Sequence, residues 1–116
     1  PDRLDSAYRD LKAEFYEPAE VDERTEREWM RIPHFYYDFY VYQYATGISA
    51  AVAIVERVRE EGDSAAEAYL DALAMGGSAY PIEILETAGV DMASPDPVES
   101  AISVYDGYLD EMAALI

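Results

Sequence analysis

The stretch "RIPHFYYDFYVYQYATG", residues 31–47, decides the fold of this chain. It contains the only histidine, His34, and the ten residues that follow carry seven aromatic rings, five of them tyrosines. Pro33 ends any helix that precedes it. Residues at helical spacing then continue to about Glu61, and Gly62 ends the pattern. The sequence therefore predicts one long central helix over about 34–61.

On a helical wheel this predicted helix is apolar on nearly all sides. At about 100° per residue, Tyr37 and Tyr40 fall in one sector, whereas Phe35, Phe39 and Tyr42 fall on the opposite side. A surface helix of a small domain has a single apolar stripe, so an apolar circumference indicates burial in a larger body. A chain of 116 residues cannot easily surround such a helix. We expect it to be part of a larger structure, or to self-associate when alone.

Elsewhere the sequence also predicts helices and no strand. Apolar residues at helical spacing from Leu4 to Phe15 predict a first helix that ends before Pro18. Ser64 and Glu67 form a capping-box pattern at the start of another helix. Three more helices are indicated by Trp29 in a short charged segment, Pro81 as a first helical residue, and Asp96 as a cap. The predicted fold class is all-α, with residues 1–116 forming a single segment.

The chain is strongly acidic, with 25 Asp and Glu against 8 Lys and Arg and a net charge of -17. Such a surface repels phosphate backbones and anionic lipids, so the charge argues against binding to nucleic acid or to a membrane. An acidic face for a partner is one interpretation. We favour the other, adaptation to high salt in a halophile, because the acids are spread along the whole chain and only one lysine is present.

The sequence shows no sign of export. The longest nearly apolar run is too short to cross a bilayer, and the first residues lack the pattern of a signal peptide. Cysteine is absent, so neither disulfides nor a thiolate zinc site are expected. We expect a cytoplasmic protein.

The clustered tyrosines have two interpretations. Buried phenol hydroxyls need hydrogen-bond partners, and neighbouring helices could supply them as ordinary packing. Alternatively, several hydroxyls line a polar cleft, where a phenol donates a hydrogen bond to a developing oxyanion.

Several patches in matched order carry a resemblance to a known family. The stretch quoted above, preceded by "EWM" and followed by "ISAA", "GGSAYPIEIL", "AGVDM" and "SPDPVE", resembles the C-terminal end of the oligoendopeptidase F family. These zinc metallopeptidases are related to thimet oligopeptidase. The likeness runs from about Leu4 to Leu115, and it implies that residues 1–116 are the C-terminal segment of a mostly helical peptidase domain that cleaves short peptides.

The resemblance also implies roles for four residues. His34 matches a family histidine, and Tyr42 best matches the tyrosine nearest the reacting carbonyl; both are thought to stabilise the oxyanion. Tyr37 and Tyr40 are candidates for binding the substrate. Phe39 departs from the pattern of the thimet relatives, which have a tyrosine there, so the identity of the second donor stays open between Tyr40 and Tyr37.

The zinc ion implied by the resemblance needs ligands from elsewhere. With one histidine, this chain cannot contain the H-E-x-x-H motif of such peptidases. We therefore expect the isolated chain to be inactive, with the zinc held by the rest of the peptidase domain. The alternative is a stand-alone helical module that binds peptides or a partner helix without catalysis.

Overall fold

The computed structural model describes residues 2–116, and these residues form helices without any strand. Five α-helices are α1 (Asp2–Tyr16), α2 (Tyr42–Glu61), α3 (Asp63–Met75), α4 (Pro81–Thr87) and α5 (Asp96–Ala114). Two 3-10 helices, Thr25–Arg31 and Pro33–Tyr36, lie between α1 and α2. The prediction of an all-α fold is confirmed. Within residues 2–116, no helix combines the length and the apolar character that crossing a bilayer requires.

The chain divides into two compact units, one ending at Val41 and one running from Tyr42 to Ile116. The sequence had predicted a single segment. In the first unit, α1 packs against the 3-10 helix Thr25–Arg31. In the second unit, α2 packs against both α3 and α5, and α3 packs against α4.

The core of the second unit consists of small side chains. Its buried apolar residues are Ala50, Ala65, Ala72, Ala88 and Val90. Many larger apolar side chains of the same unit are exposed instead, among them Ile48, Val55, Ile102, Tyr105, Tyr108 and Met112. Small residues allow helix backbones to approach closely, but they bury little apolar area. Most of the hydrophobic surface of this unit is therefore left uncovered within the described residues.

The prediction of one helix over 34–61 is wrong at its start. The helix ends at Glu61 as predicted, but α2 begins only at Tyr42, and His34 lies in the 3-10 helix Pro33–Tyr36. Phe39 has a φ of 50°, a left-handed conformation that an α-helix of L-residues cannot contain. The wheel drawn through residues 34–61 therefore does not describe the positions before Tyr42.

The predicted capping box at Ser64 is also wrong. Helix α3 begins at Asp63, and the Ser64 hydroxyl donates backwards to the Glu61 carbonyl at 3.3 Å. One half of a capping box is found at α4, where the Tyr80 backbone N–H donates to the Glu83 carboxylate at 2.8 Å. Asp96 is the first residue of α5 and not its cap. The predicted end of α1 before Pro18 and the start of α4 at Pro81 are confirmed.

Candidate functional site

Three of the four predicted site residues form one ring cluster in the first unit. His34 stacks on Tyr40 with 5.5 Å between ring centroids and 18° between ring planes. Tyr37 meets His34 edge-on at 6.0 Å and meets Tyr40 edge-on at 5.8 Å. We call His34, Tyr37 and Tyr40 the aromatic cluster.

The local backbone explains why these three rings meet. The Tyr37 N–H donates to the His34 carbonyl at 3.3 Å, and the Tyr40 N–H donates to the Tyr37 carbonyl at 3.1 Å. Each bond closes a turn of three residues, although the 3-10 helix itself ends at Tyr36, Tyr37 is extended and Phe39 is left-handed. These two successive turns bring the three rings into contact.

The cluster combines partial burial with access to solvent. His34 and Tyr40 are half-buried, whereas Tyr37 is 56% exposed. An imidazole N–H and a phenol O–H both donate hydrogen bonds, and a phenol O–H also accepts them. The aromatic cluster therefore brings three groups capable of hydrogen bonding close together, and its rings contact one another.

The fourth predicted residue, Tyr42, belongs to the second unit. It is the first residue of α2 and is 62% exposed. Phe39, the position at which the family pattern departs, is 90% exposed and has the left-handed φ described above. Phe39 has no hydroxyl and so cannot donate a hydrogen bond through its side chain.

A second set of contacts supports the segment that carries His34. The Phe35 ring meets the Tyr8 ring of α1 edge-on at 6.3 Å. The Tyr36 hydroxyl donates to the Met30 carbonyl at 3.0 Å, and the Tyr36 ring lies 6.5 Å from the Trp29 ring.

Sequence reasoning placed Trp29 on an inner side but missed its partner, the Asp5 carboxylate, to which the Trp29 indole N–H donates at 2.8 Å. The only local signal is that Asp5 lies three residues before Tyr8 and so shares its side of α1.

Within residues 2–116, no three side chains of His, Asp or Glu gather in a group that could hold a metal ion. A catalytic zinc site usually has three protein ligands. The described residues alone therefore do not fit a catalytic zinc ion.

Cavities of different character lie in the second unit. An apolar groove of about 470 Å³ runs between α2 and α5 and is lined by Ile48, Val52, Val98, Ile102, Tyr105 and Tyr108. A smaller cavity of about 310 Å³ lies beside Arg57 and Gly89. Arg57 donates to both carboxylate oxygens of Glu61 at 2.9 and 2.8 Å, and this pairing raises the pKa of Arg57 and lowers that of Glu61.

Comparisons with known proteins agree along nearly the whole chain. The profile of Peptidase family M3 matches residues 1–104. Oligopeptidase PepF of Bacillus subtilis (strain 168) is 46% identical over 117 residues, which cover 100% of this chain and 18% of that protein. The chromosomal oligoendopeptidase F of Lactococcus lactis subsp. cremoris is 43% identical, covering 97% of this chain and 19% of that protein.

A solved structure has the same arrangement of helices. The crystal structure of oligoendopeptidase-F from Enterococcus faecium matches with a TM-score of 0.84 and 40% identity, covering 98% of this chain and 22% of that one. The chain thus spans about a fifth of the length of the relatives that it matches.

Proposed function

The chain belongs to peptidase family M3, and from this membership we propose that it is the C-terminal, substrate-binding and oxyanion-stabilising part of a zinc metalloendopeptidase. The substrates are short peptides. In this proposal the zinc ligands lie in the rest of the peptidase domain, outside these 116 residues. The share of the relatives that this chain covers, about a fifth, supports a division of the catalytic machinery between this segment and a larger remainder.

His34 and Tyr42 donate hydrogen bonds to the peptide carbonyl oxygen as it becomes an oxyanion. Donors held in place before the reaction stabilise the charge that develops in the transition state, and removing one such donor costs about 100- to 1,000-fold in kcat. Tyr37 and Tyr40 bind the peptide backbone beside the reacting bond. The observation that carries this proposal is the aromatic cluster. The centroid of the His34 ring lies 6.0 Å from that of Tyr37 and 5.5 Å from that of Tyr40.

The apolar groove between α2 and α5 agrees with a larger parent protein. Ile48, Ile102 and Tyr105 line it and are each more than half exposed. Extended apolar surface of this kind marks an interaction site in soluble proteins. In this proposal the rest of the peptidase domain covers the groove.

The test compares His34→Ala and Tyr42→Phe with the unmutated enzyme in the complete peptidase. Each variant is expected to lower kcat about 100-fold with little change in KM and with its zinc content retained. Tyr16→Phe is a matched control, because Tyr16 is 61% exposed against 62% for Tyr42 but lies on α1, outside the aromatic cluster and the groove. Unchanged turnover in both site variants would mean that the tyrosines serve only as packing, and the proposal would then be wrong.

A second candidate is a helical module that binds peptides without cleaving them. The observation in its favour is the apolar groove between α2 and α5, because amphipathic helices bind with their apolar face in grooves lined by apolar side chains. Saturable binding of a helical peptide to the isolated chain, lost in Ile102→Glu, together with no peptidase activity in the complete protein, would favour this candidate.

A further inference from the structure

Asp5 is a carboxylate buried where most acids of this chain are exposed. It lies on α1 with 6% of its surface accessible. Its Oδ1 accepts the hydrogen bond from the Trp29 indole N–H at 2.8 Å, and its Oδ2 lies 3.6 Å from Nε of Arg27. Burying a carboxylate is costly unless partners of this kind compensate it. An apolar residue would fill the same space without that cost, so the directional bond to Trp29 is the distinctive feature of Asp5.

The contacts continue from Trp29 towards His34. The Trp29 ring packs against the Tyr36 ring at 6.5 Å with 33° between their planes. Tyr36 is the last residue of the four-residue 3-10 helix Pro33–Tyr36, which carries His34. All these residues belong to the first unit. A chain of contacts therefore runs from a buried acid on α1 to the segment that holds the imidazole.

We propose that Asp5 is a positioning residue for His34, acting through Trp29 and Tyr36. A 3-10 helix of four residues has little stability of its own, so its placement depends on tertiary contacts. The hydrogen bond that the Trp29 indole N–H donates to Asp5 fixes the rotation of the indole. The indole in turn fixes the Tyr36 ring and the backbone next to it. This inference rests on the proposed function, because it requires His34 to act on the peptide.

The experiment uses the complete peptidase and compares Asp5→Ala, Asp5→Asn and Trp29→Phe. Asp5→Ala removes the acceptor, and Trp29→Phe removes the donor but keeps a ring beside Tyr36. Both are expected to lower kcat roughly 10- to 100-fold with KM nearly unchanged, since a shift of about 1 Å in a catalytic group has an effect of this size. Asp5→Asn keeps an oxygen that accepts the indole bond and is expected to restore most of the activity.

Asp10→Ala is the matched control. Asp10 is an exposed acid on the same helix, 3.5 Å from Arg9, and its loss changes the net charge by the same amount. We expect its kcat to equal that of the unmutated enzyme. A comparable loss in Asp10→Ala would assign the effect to charge and overturn the inference.

Double variants separate positioning from general stability. In a His34→Ala background, Asp5→Ala and Trp29→Phe are expected to cause no further loss of kcat, because residues that act through one group are not additive. The same loss of kcat in the unmutated enzyme and in the His34→Ala background would overturn the inference. If Asp5→Ala does not fold, Trp29→Phe decides, and an unchanged kcat in that variant would also overturn the inference. If His34→Ala alone leaves turnover unchanged, the proposed function is wrong and this inference falls with it. If His34→Ala lowers turnover and the single variants at Asp5 and Trp29 do not, only this inference is wrong.

Discussion

The guanidinium of Arg57 donates a 2.6 Å hydrogen bond to the backbone carbonyl of Ala88. This bond connects the end of α2 to the turn after α4. The next residue, Gly89, has a φ of 79°, and a Cβ added there would overlap the Arg57 guanidinium. The left-handed backbone at residue 89 therefore favours glycine, and a side chain there would also displace the Arg57 guanidinium from its bond to Ala88.

Gly89→Ala is expected to lower the free energy of unfolding by about 1–3 kcal/mol, the usual cost of a non-glycine residue in a strained left-handed position. Gly107→Ala is the control, because Gly107 lies inside α5 and a Cβ there would contact nothing within 4 Å. That control is expected to raise stability by about 0.5–1 kcal/mol. Urea denaturation of the isolated chain measures both, and equal effects of the two variants would contradict the structure.

The pair of Lys12 and Glu28 gives the first unit a defined pH dependence. The hydrogen bond between them lowers the pKa of Glu28 below its usual 4.5 and raises the pKa of Lys12 above its usual 10.5. The stabilisation is therefore complete between about pH 4.5 and 10.5. It is lost as the pH falls through the lowered value of Glu28 or rises through the raised value of Lys12. Urea midpoints measured against pH are expected to decline more gently below pH 4.5 in Glu28→Gln. Glu14→Gln, which changes an exposed glutamate on α1, is expected to keep the original profile.

The halophile hypothesis predicts that salt stabilises the chain. With a net charge of -17, repulsion among the acids weakens as the screening length falls from about 8 Å at 0.15 M to about 3 Å at 1 M salt. We expect the thermal midpoint to rise between these concentrations of potassium chloride. The rise is expected to shrink when four exposed acids are replaced by their amides, at Asp63, Glu67, Asp71 and Asp110. A midpoint that falls with salt would show that loss of surface ion pairs outweighs relief of repulsion.

The isolated chain is expected to self-associate through the apolar groove between α2 and α5. Light scattering is expected to give a mass above the 13.0 kDa of one chain. Ile102→Glu places a charge in the groove and is expected to shift the population towards monomer. Leu70→Glu is the control, since Leu70 is similarly exposed but lies on α3. A monodisperse monomer across salt concentrations would contradict this prediction.

Local signals predicted the ends of α1 and α2 and the start of α4, whereas the start of α2 depends on contacts between distant residues. Pro18 and Pro81 act on their own turns, so α1 and α4 could be bounded from the sequence. The rings after Pro33 stand at helical spacing, but the contact of Phe35 with Tyr8, 27 positions earlier, holds this segment against α1. Spacing within a segment carries no information about such a partner.

The same distinction applies to the candidate site. The wheel places Tyr37 and Tyr40 in one sector, and their rings do meet at 5.8 Å. They meet across a hydrogen-bonded turn that contains the left-handed Phe39, and not on the face of a helix. The support from Asp5 could not be predicted, because its partner Trp29 lies 24 residues away and only the folded first unit brings them together.

The alanine core of the second unit determines which residues can be changed in protein engineering. Ala50, Ala65 and Ala72 are buried, and overpacking a core at such positions costs about 1–3 kcal/mol. A soluble, independently folding version of this segment would therefore keep these small buried alanines. It would replace the large outward-facing side chains instead, so the residues open to redesign are the ones that a conventional hydrophobicity ranking would protect.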